Sequence, residues 1–121
     1  MAIKFNSDFS NGILSIVSEG FDEGFEDARS YSKSVMDKAK EYNCRKVICD
    51  ERNLEYRLTM VETYKLAEFL AESVPFDARI AIIADVKFKD VIEFWETVSV
   101  NRGVSVKAFH DSDLAKKWID E

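Results

Sequence analysis

Apolar positions change their spacing several times along the chain, and each change predicts an element. Residues 3–6 form a short strand-like run, and residues 7–12 are turn-rich, ending in Asn11-Gly12, a dipeptide suited to a tight hairpin. "ILSIVSE", residues 13–19, then predicts a second strand, antiparallel to the first. Next, Phe25, Ala28, Ser32, Val35, Ala39 and Tyr42, with Met36 beside them, recur at helical spacing and predict one apolar stripe. Glu23, Glu26 and Asp27 near its start and Lys38 and Lys40 near its end complement the helix dipole.

"RKVICD", residues 45–50, reads as a third strand whose unbroken apolar centre predicts cover on both faces. Thr59-Met60-Val61-Glu62 has the form of a capping box. It opens a helix that runs to about Ser73, with Val61, Tyr64, Ala67, Leu70 and Ala71 inward and Val74-Pro75 as its stop. "ARIAIIAD", residues 78–85, is apolar on both faces and so predicts a central strand. Residues 87–101 predict a helix buried through Val91, Ile92, Trp95 and Val98, and "GVSVKAFH" a last strand. Asp111 or Ser112 caps a closing helix that buries Leu114, Ala115, Trp118 and Ile119. The order β-β-α-β-α-β-α-β-α predicts a single-domain α/β fold. Its sheet is mixed and mostly parallel, of about five strands, with an antiparallel edge strand at the N-terminus.

Composition narrows the function classes. A chain of 121 residues fits one domain that buries roughly two-thirds of its unfolded surface. The formal net charge of −6 argues against nucleic acid, whose phosphates are bound largely by Lys and Arg. No run is apolar enough to span a membrane, and Met-Ala-Ile-Lys-Phe-Asn lacks the apolar core of a secretion signal, so a cytoplasmic location is expected. Cys44 and Cys49 lie five apart, on opposite faces of a strand, and are expected neither to pair nor to share a metal.

In a parallel sheet, ligands meet the carboxyl ends of the strands. Those ends carry Ser18, Glu19, Asp50, Glu51, Arg52, Asn53, Asp85, His110 and Asp111. The sharpest polar stretch is "DERN" at 50–53, where Asp50 and Asn53 are expected to close a turn and Arg52 to pair with an acidic neighbour. Asn101 and Arg102 precede Gly103 at a helix end, with an anion contact by Arg102 as the functional alternative. Asp50, Glu51, Arg52, Asn53, Asp85, Asn101 and Arg102 are therefore the candidate binding rim. No Gly-rich phosphate loop and no Gly-x-Ser-x-Gly elbow is present, and the lone His110 has no identifiable nucleophile beside it. No catalytic residue, metal ligand or cofactor is assigned. A phospho-acceptor receiver domain fits poorly, because the last strand ends in Phe109-His110-Asp111 rather than in a lysine.

"VICDERNLEY", "RIAIIAD", "FWETVSVNRGVSVKAF" and "DSDLAKKWI" together resemble a STAS domain, and more closely the small stand-alone bacterial STAS-like, anti-sigma-factor-antagonist-like proteins. The resemblance spans nearly the whole chain. It implies a mixed sheet with packed helices and a non-catalytic role in binding a protein partner or a small ligand. Antagonists of this family carry a phosphorylated Ser in an Asp-Ser-Ser-Gly-like motif at the start of the helix after the third strand. Here that region reads Tyr56-Arg57-Leu58-Thr59-Met60, which leaves only Thr59 as a possible phosphosite. A second branch implied by the resemblance binds a lipid or other apolar ligand between helices and sheet. The expected function is thus a regulatory protein-interaction module acting with a protein partner or as a homodimer. A small-molecule or lipid carrier is the alternative, with a cavity under the second and third helices. An enzyme using strand-end carboxylates, Asp50 with Asp85, is the second alternative.

Overall fold

The computed structural model describes residues 2–75 and 77–121. Its strands are β1 (Ile3–Ser10), β2 (Ile13–Phe21), β3 (Lys46–Glu55), β4 (Arg79–Ile83) and β5 (Ser105–Phe109). Its helices are α1 (Phe25–Glu41), α2 (Met60–Ser73), α3 (Lys89–Asn101) and α4 (Ser112–Ile119), with a 3-10 turn at Val86–Phe88 before α3. The five strands form one sheet in the order β1-β2-β3-β4-β5. Only β1 and β2 pair antiparallel; β2 through β5 run parallel. This is the mixed sheet with an antiparallel edge that the hydrophobic pattern predicts.

β1 is longer than its pattern suggests, reaching Ser10 rather than Asn6. Residues 7–10 pair fully with 13–16, and the turn shrinks to Asn11-Gly12, both with positive φ (55° and 77°), which suits a tight hairpin with the strand twist. Gly20 is required in β2: its φ is 106°, and a Cβ there would collide with the Ala2 carbonyl oxygen.

Alternation along the strands splits the core in two. Val47, Ile80 and Val106 face α1, α2 and α3, whereas Ile48, Ala81 and Ile83 face α4. α4 covers its face alone, with Ala115 and Ile119 fully buried and Trp118 packed beside Phe109. Leu114, expected inward, is 56 % exposed, because a two-turn helix on a flat sheet buries only one narrow stripe. α2 is rotated from its expected orientation: Thr63, Ala67 and Leu70 are buried, while Val61 and Tyr64 are exposed. On α1 the stripe is Ala28, Tyr31, Val35 and Met36, with Tyr42 displaced outward to stack on Phe9 of the hairpin.

The helix ends follow the sequence signals. Thr59 and Glu62 form a reciprocal capping box on α2. Asp111 caps α4, and Gly103 (φ 91°) terminates α3 in the left-handed conformation. No described helix is long and apolar enough to cross a membrane.

Candidate functional site

β3 does not stop at Asp50. It runs on to Glu55, so "DERN" is strand and not the turn expected from its composition. Pairing with β2 steps from Val17↔Asp50 to Glu19↔Asn53, which places one extra residue on β3 between them. That bulge changes the alternation. Cys49, Glu51 and Leu54 consequently all face the α1–α3 side, although an unbroken strand would turn Leu54 away from Glu51.

The bulge leaves Glu51 buried, 6 % exposed, in the core under α1 and α2. Tyr31 of α1 donates its hydroxyl to Glu51 Oε2 at 2.8 Å, and Tyr56, just past β3, donates to Oε1 at 2.5 Å. The buried Ser18 hydroxyl, opposite the bulge on β2, lies 3.2 Å from the Tyr31 oxygen. Tyr31 has one proton and spends it on the carboxylate, so Ser18 donates to Tyr31. Burial pushes the Glu51 carboxyl up to about 6, against the lowering effect of the two tyrosine hydrogen bonds, and the charges of Asp22 and Asp50 push the same way. Burial likewise raises both tyrosines and the Cys49 thiol.

Asp22, at the loop after β2, is a second buried carboxyl; it accepts the Arg57 backbone N–H at 2.5 Å. Its affinity for protons is raised by burial and by the charges of Asp27 and Glu62, with backbone hydrogen bonds opposing. Asp22, Glu51, Tyr31 and Tyr56 border a cavity of about 250 Å³ between the sheet and α1, α2 and α3. The walls are mostly apolar, including Leu54, Leu70, Ile82, Ile92 and Trp95. The cavity continues beneath α1 and α2 toward the amino edge of the sheet, where Lys40 and Arg45 stand at its margin.

The other residues of the expected rim disperse. Asp50 takes a two-pronged hydrogen bond from Arg52, Nε to Oδ1 at 2.9 Å and a terminal nitrogen to Oδ2 at 2.7 Å. Those bonds hold the Asp50 carboxyl below its ordinary range, opposite to what a catalytic acid needs. Asn53 is exposed. Asp85 accepts the Lys87 backbone N–H at 2.9 Å and starts the 3-10 turn. His110 donates Nδ1–H to the Ala84 carbonyl at 2.9 Å and so ties β5 to β4. Asn101 and Arg102 end α3 and lead into β5, which puts them at the amino edge, opposite Asp85. There Arg102 joins Tyr64 and Glu68 of α2, an α2–α3 tie rather than an anion site.

Thr59 is exposed and engaged in its capping box. Phe21, in a Gly-flanked stretch, carries the Arg57 guanidinium 3.8 Å above its ring centroid. Cys44 is half-buried at the entry to β3 and Cys49 is buried in its middle, both as free thiols. Among the described residues no group of three or more His, Cys, Asp or Glu could hold a metal ion. Sequence reasoning picked out Glu51 but placed it on an exposed rim, and it missed Tyr31 and Tyr56. The signal was present: Tyr31 lies three residues after Ala28 on the α1 stripe.

No protein-family model matches the chain, and no curated protein matches it. Solved structures do. An anti-sigma factor antagonist from Mycobacterium paratuberculosis superposes with a TM-score of 0.70 at 11 % identity, covering 98 % of this chain and 95 % of that one. A protein from the DUF3478 family with a SpoIIAA-like fold, from Shewanella loihica PV-4, superposes with a TM-score of 0.58 at 16 % identity, covering 98 % and 94 %. The fold of this chain is therefore STAS-like, as its sequence motifs suggest. At these identities the likeness concerns fold and not activity.

Proposed function

We propose that the chain is a non-catalytic, STAS-like binding module whose functional centre is the cavity under α1 and α2, and that it takes a small, largely apolar ligand there. The observation that carries this reading is one cavity of about 250 Å³ with apolar walls and a buried carboxyl flanked by two buried hydroxyls. A few convergent polar groups in an apolar pocket are the usual make-up of a small-molecule site. A cavity of this size suits a ligand of about ten non-hydrogen atoms, scaling from the roughly 150 Å³ that holds benzene. Native mass spectrometry of the gently purified protein tests it. A discrete added mass that leaves on activation is expected. A bare chain whose melting temperature is unmoved by small apolar alcohols removes the reading.

A regulatory interaction with a protein partner, or a homodimer, is the second reading. It is supported by Met60 and Val61, both more than half exposed on the first turn of α2 beside Thr59, and by the antagonist named among the similar structures. The two readings are compatible, because α2 both roofs the cavity and carries that surface. The same mass spectra report whether the chain is a monomer or a dimer.

A further inference from the structure

The polar end of the cavity has a sign. Glu51 accepts two hydrogen bonds from neutral tyrosine hydroxyls and has no cationic partner among the described residues. Its other close charges, Asp22 and Asp50, are acidic, and Asp50 is already matched by Arg52. A carboxylate accepts about four hydrogen bonds, so each oxygen retains acceptor capacity after the tyrosines are counted. The groups facing it are Asp22 from the β2–α1 loop, Cys49 from β3, Tyr31 from α1 and Tyr56 from the segment after β3, while Asp50 acts on it only through charge from the other face of the strand. α2 and α3 supply Thr63, Leu70, Ile92 and Trp95, none of which titrates.

A buried carboxylate without a counter-cation is costly to hold. A ligand that brought the cation would remove that cost, and an anionic ligand head would add to it. From the apolar walls and the unmatched carboxylate we infer that the cavity selects a small lipophilic amine, its ammonium seated on Glu51 between the rings of Tyr31 and Tyr56 and its tail along Leu54, Leu70 and Trp95. This rests on the cavity being a ligand site and adds the ligand's charge.

The opposite polarity, a fatty acid with its carboxylate at Lys40 and Arg45, has weaker grounds. Arg45 already pairs with Asp77, both about half exposed, and Lys40 is exposed, so water and salt screen that margin. Glu51 sits where screening is least.

The test is calorimetric titration of the full chain, at about pH 7.5, with n-octylamine, n-octanol and n-octanoate. They share a tail and differ in head charge. The expected result is that octylamine binds about ten- to a hundred-fold more tightly than octanol, the range given by a charge-assisted hydrogen bond, and octanoate weakest of all. Glu51→Gln should bring octylamine down to the affinity of octanol while octanol is unchanged. If Glu51→Gln fails to fold, the wild type serves at about pH 5, where a largely protonated Glu51 should cut the amine's advantage and leave octanol alone. Octanoate binding as well as octylamine overturns this inference but leaves the cavity reading standing. Octylamine bound equally by wild type and Glu51→Gln means attraction to the acidic surface only, and also overturns it. If none of the three binds, the cavity reading falls with it.

Discussion

The two faces of the sheet are built from alternate residues of the same strands, yet one is solid and the other hollow. Under α4, Ile48, Ala81, Ile83, Ala115 and Ile119 close on one another, four of them with no more than 2 % exposure. Under α1 and α2 the layer holds a cavity of about 250 Å³ with a carboxyl in it. A fold that needed only stability would close both faces, since voids forfeit dispersion contacts and buried carboxylates cost solvation. The hollow face retains both costs, and the bulge in β3 is the local device that aims Glu51 there.

The largest effect should come from the solid face. Ile119→Ala removes a side chain with 0 % exposure and leaves a new void, a loss of about 3–5 kcal/mol. Leu70→Ala deletes a similar volume beside a space that already exists, so its lost contacts are fewer and its cost lies near the low end, about 2 kcal/mol. Urea unfolding of both variants measures the difference. Equal losses would mean that the two faces are packed alike, and the comparison would fail.

The next effect is electrostatic and carries a sign. Glu51 holds its proton to about 6 in the folded chain, against an ordinary value of 4.5. A carboxyl raised on folding favours the native state while protonated, so its contribution is full below about 4.5 and is lost as pH rises through about 6. The loss at neutral pH is about 2 kcal/mol, at one pKa unit per 1.4 kcal/mol. Glu51→Gln, which can still accept from one tyrosine, should raise the melting temperature at about pH 8 and leave it unchanged at about pH 4.5. A variant that loses stability equally at both would show the network to be purely structural.

Sequence patterning carried the element order, the hairpin, the capping box and the interior place of β4, although the middle strand of the five is β3, because each rests on local chemistry or on an unbroken apolar run. It misjudged what depends on neighbours. "DERN" has the composition of a turn, but β2 runs beside it to Phe21 and keeps it in the sheet. Tyr64 and Val61 match a helical stripe as well as Thr63 does, and only the packing of α1 and α3 against α2 selects the face. Asn101 and Arg102 look like rim residues in one dimension and fall at the other edge in three. Of the candidate site, Glu51 was legible as a residue while its burial was not. Its partners come from α1 and from beyond the strand, at separations of twenty and five residues that no periodicity links.

The smallest effect belongs to the neighbour of Glu51 on the opposite side of β3. Asp50 and Arg52 make the better-formed ion pair by geometry, two hydrogen bonds at 2.9 Å and 2.7 Å, but Arg52 is nearly half exposed. Arg52→Ala should cost less than about 1 kcal/mol, and the cost should shrink further in about molar salt, where screening reaches within a few ångströms. Because Arg52 holds the Asp50 carboxyl low, the pair stabilises above the ordinary carboxylate range and the benefit fades as pH falls through the lowered value. That is the reverse of Glu51, one residue away. Adjacent carboxyls with opposite slopes against pH follow from the alternation of a strand, one side chain turned to water and a guanidinium, the next to an apolar hollow. A pH scan of Arg52→Ala set against one of Glu51→Gln separates them, and slopes of the same sign would show that both carboxyls share one environment.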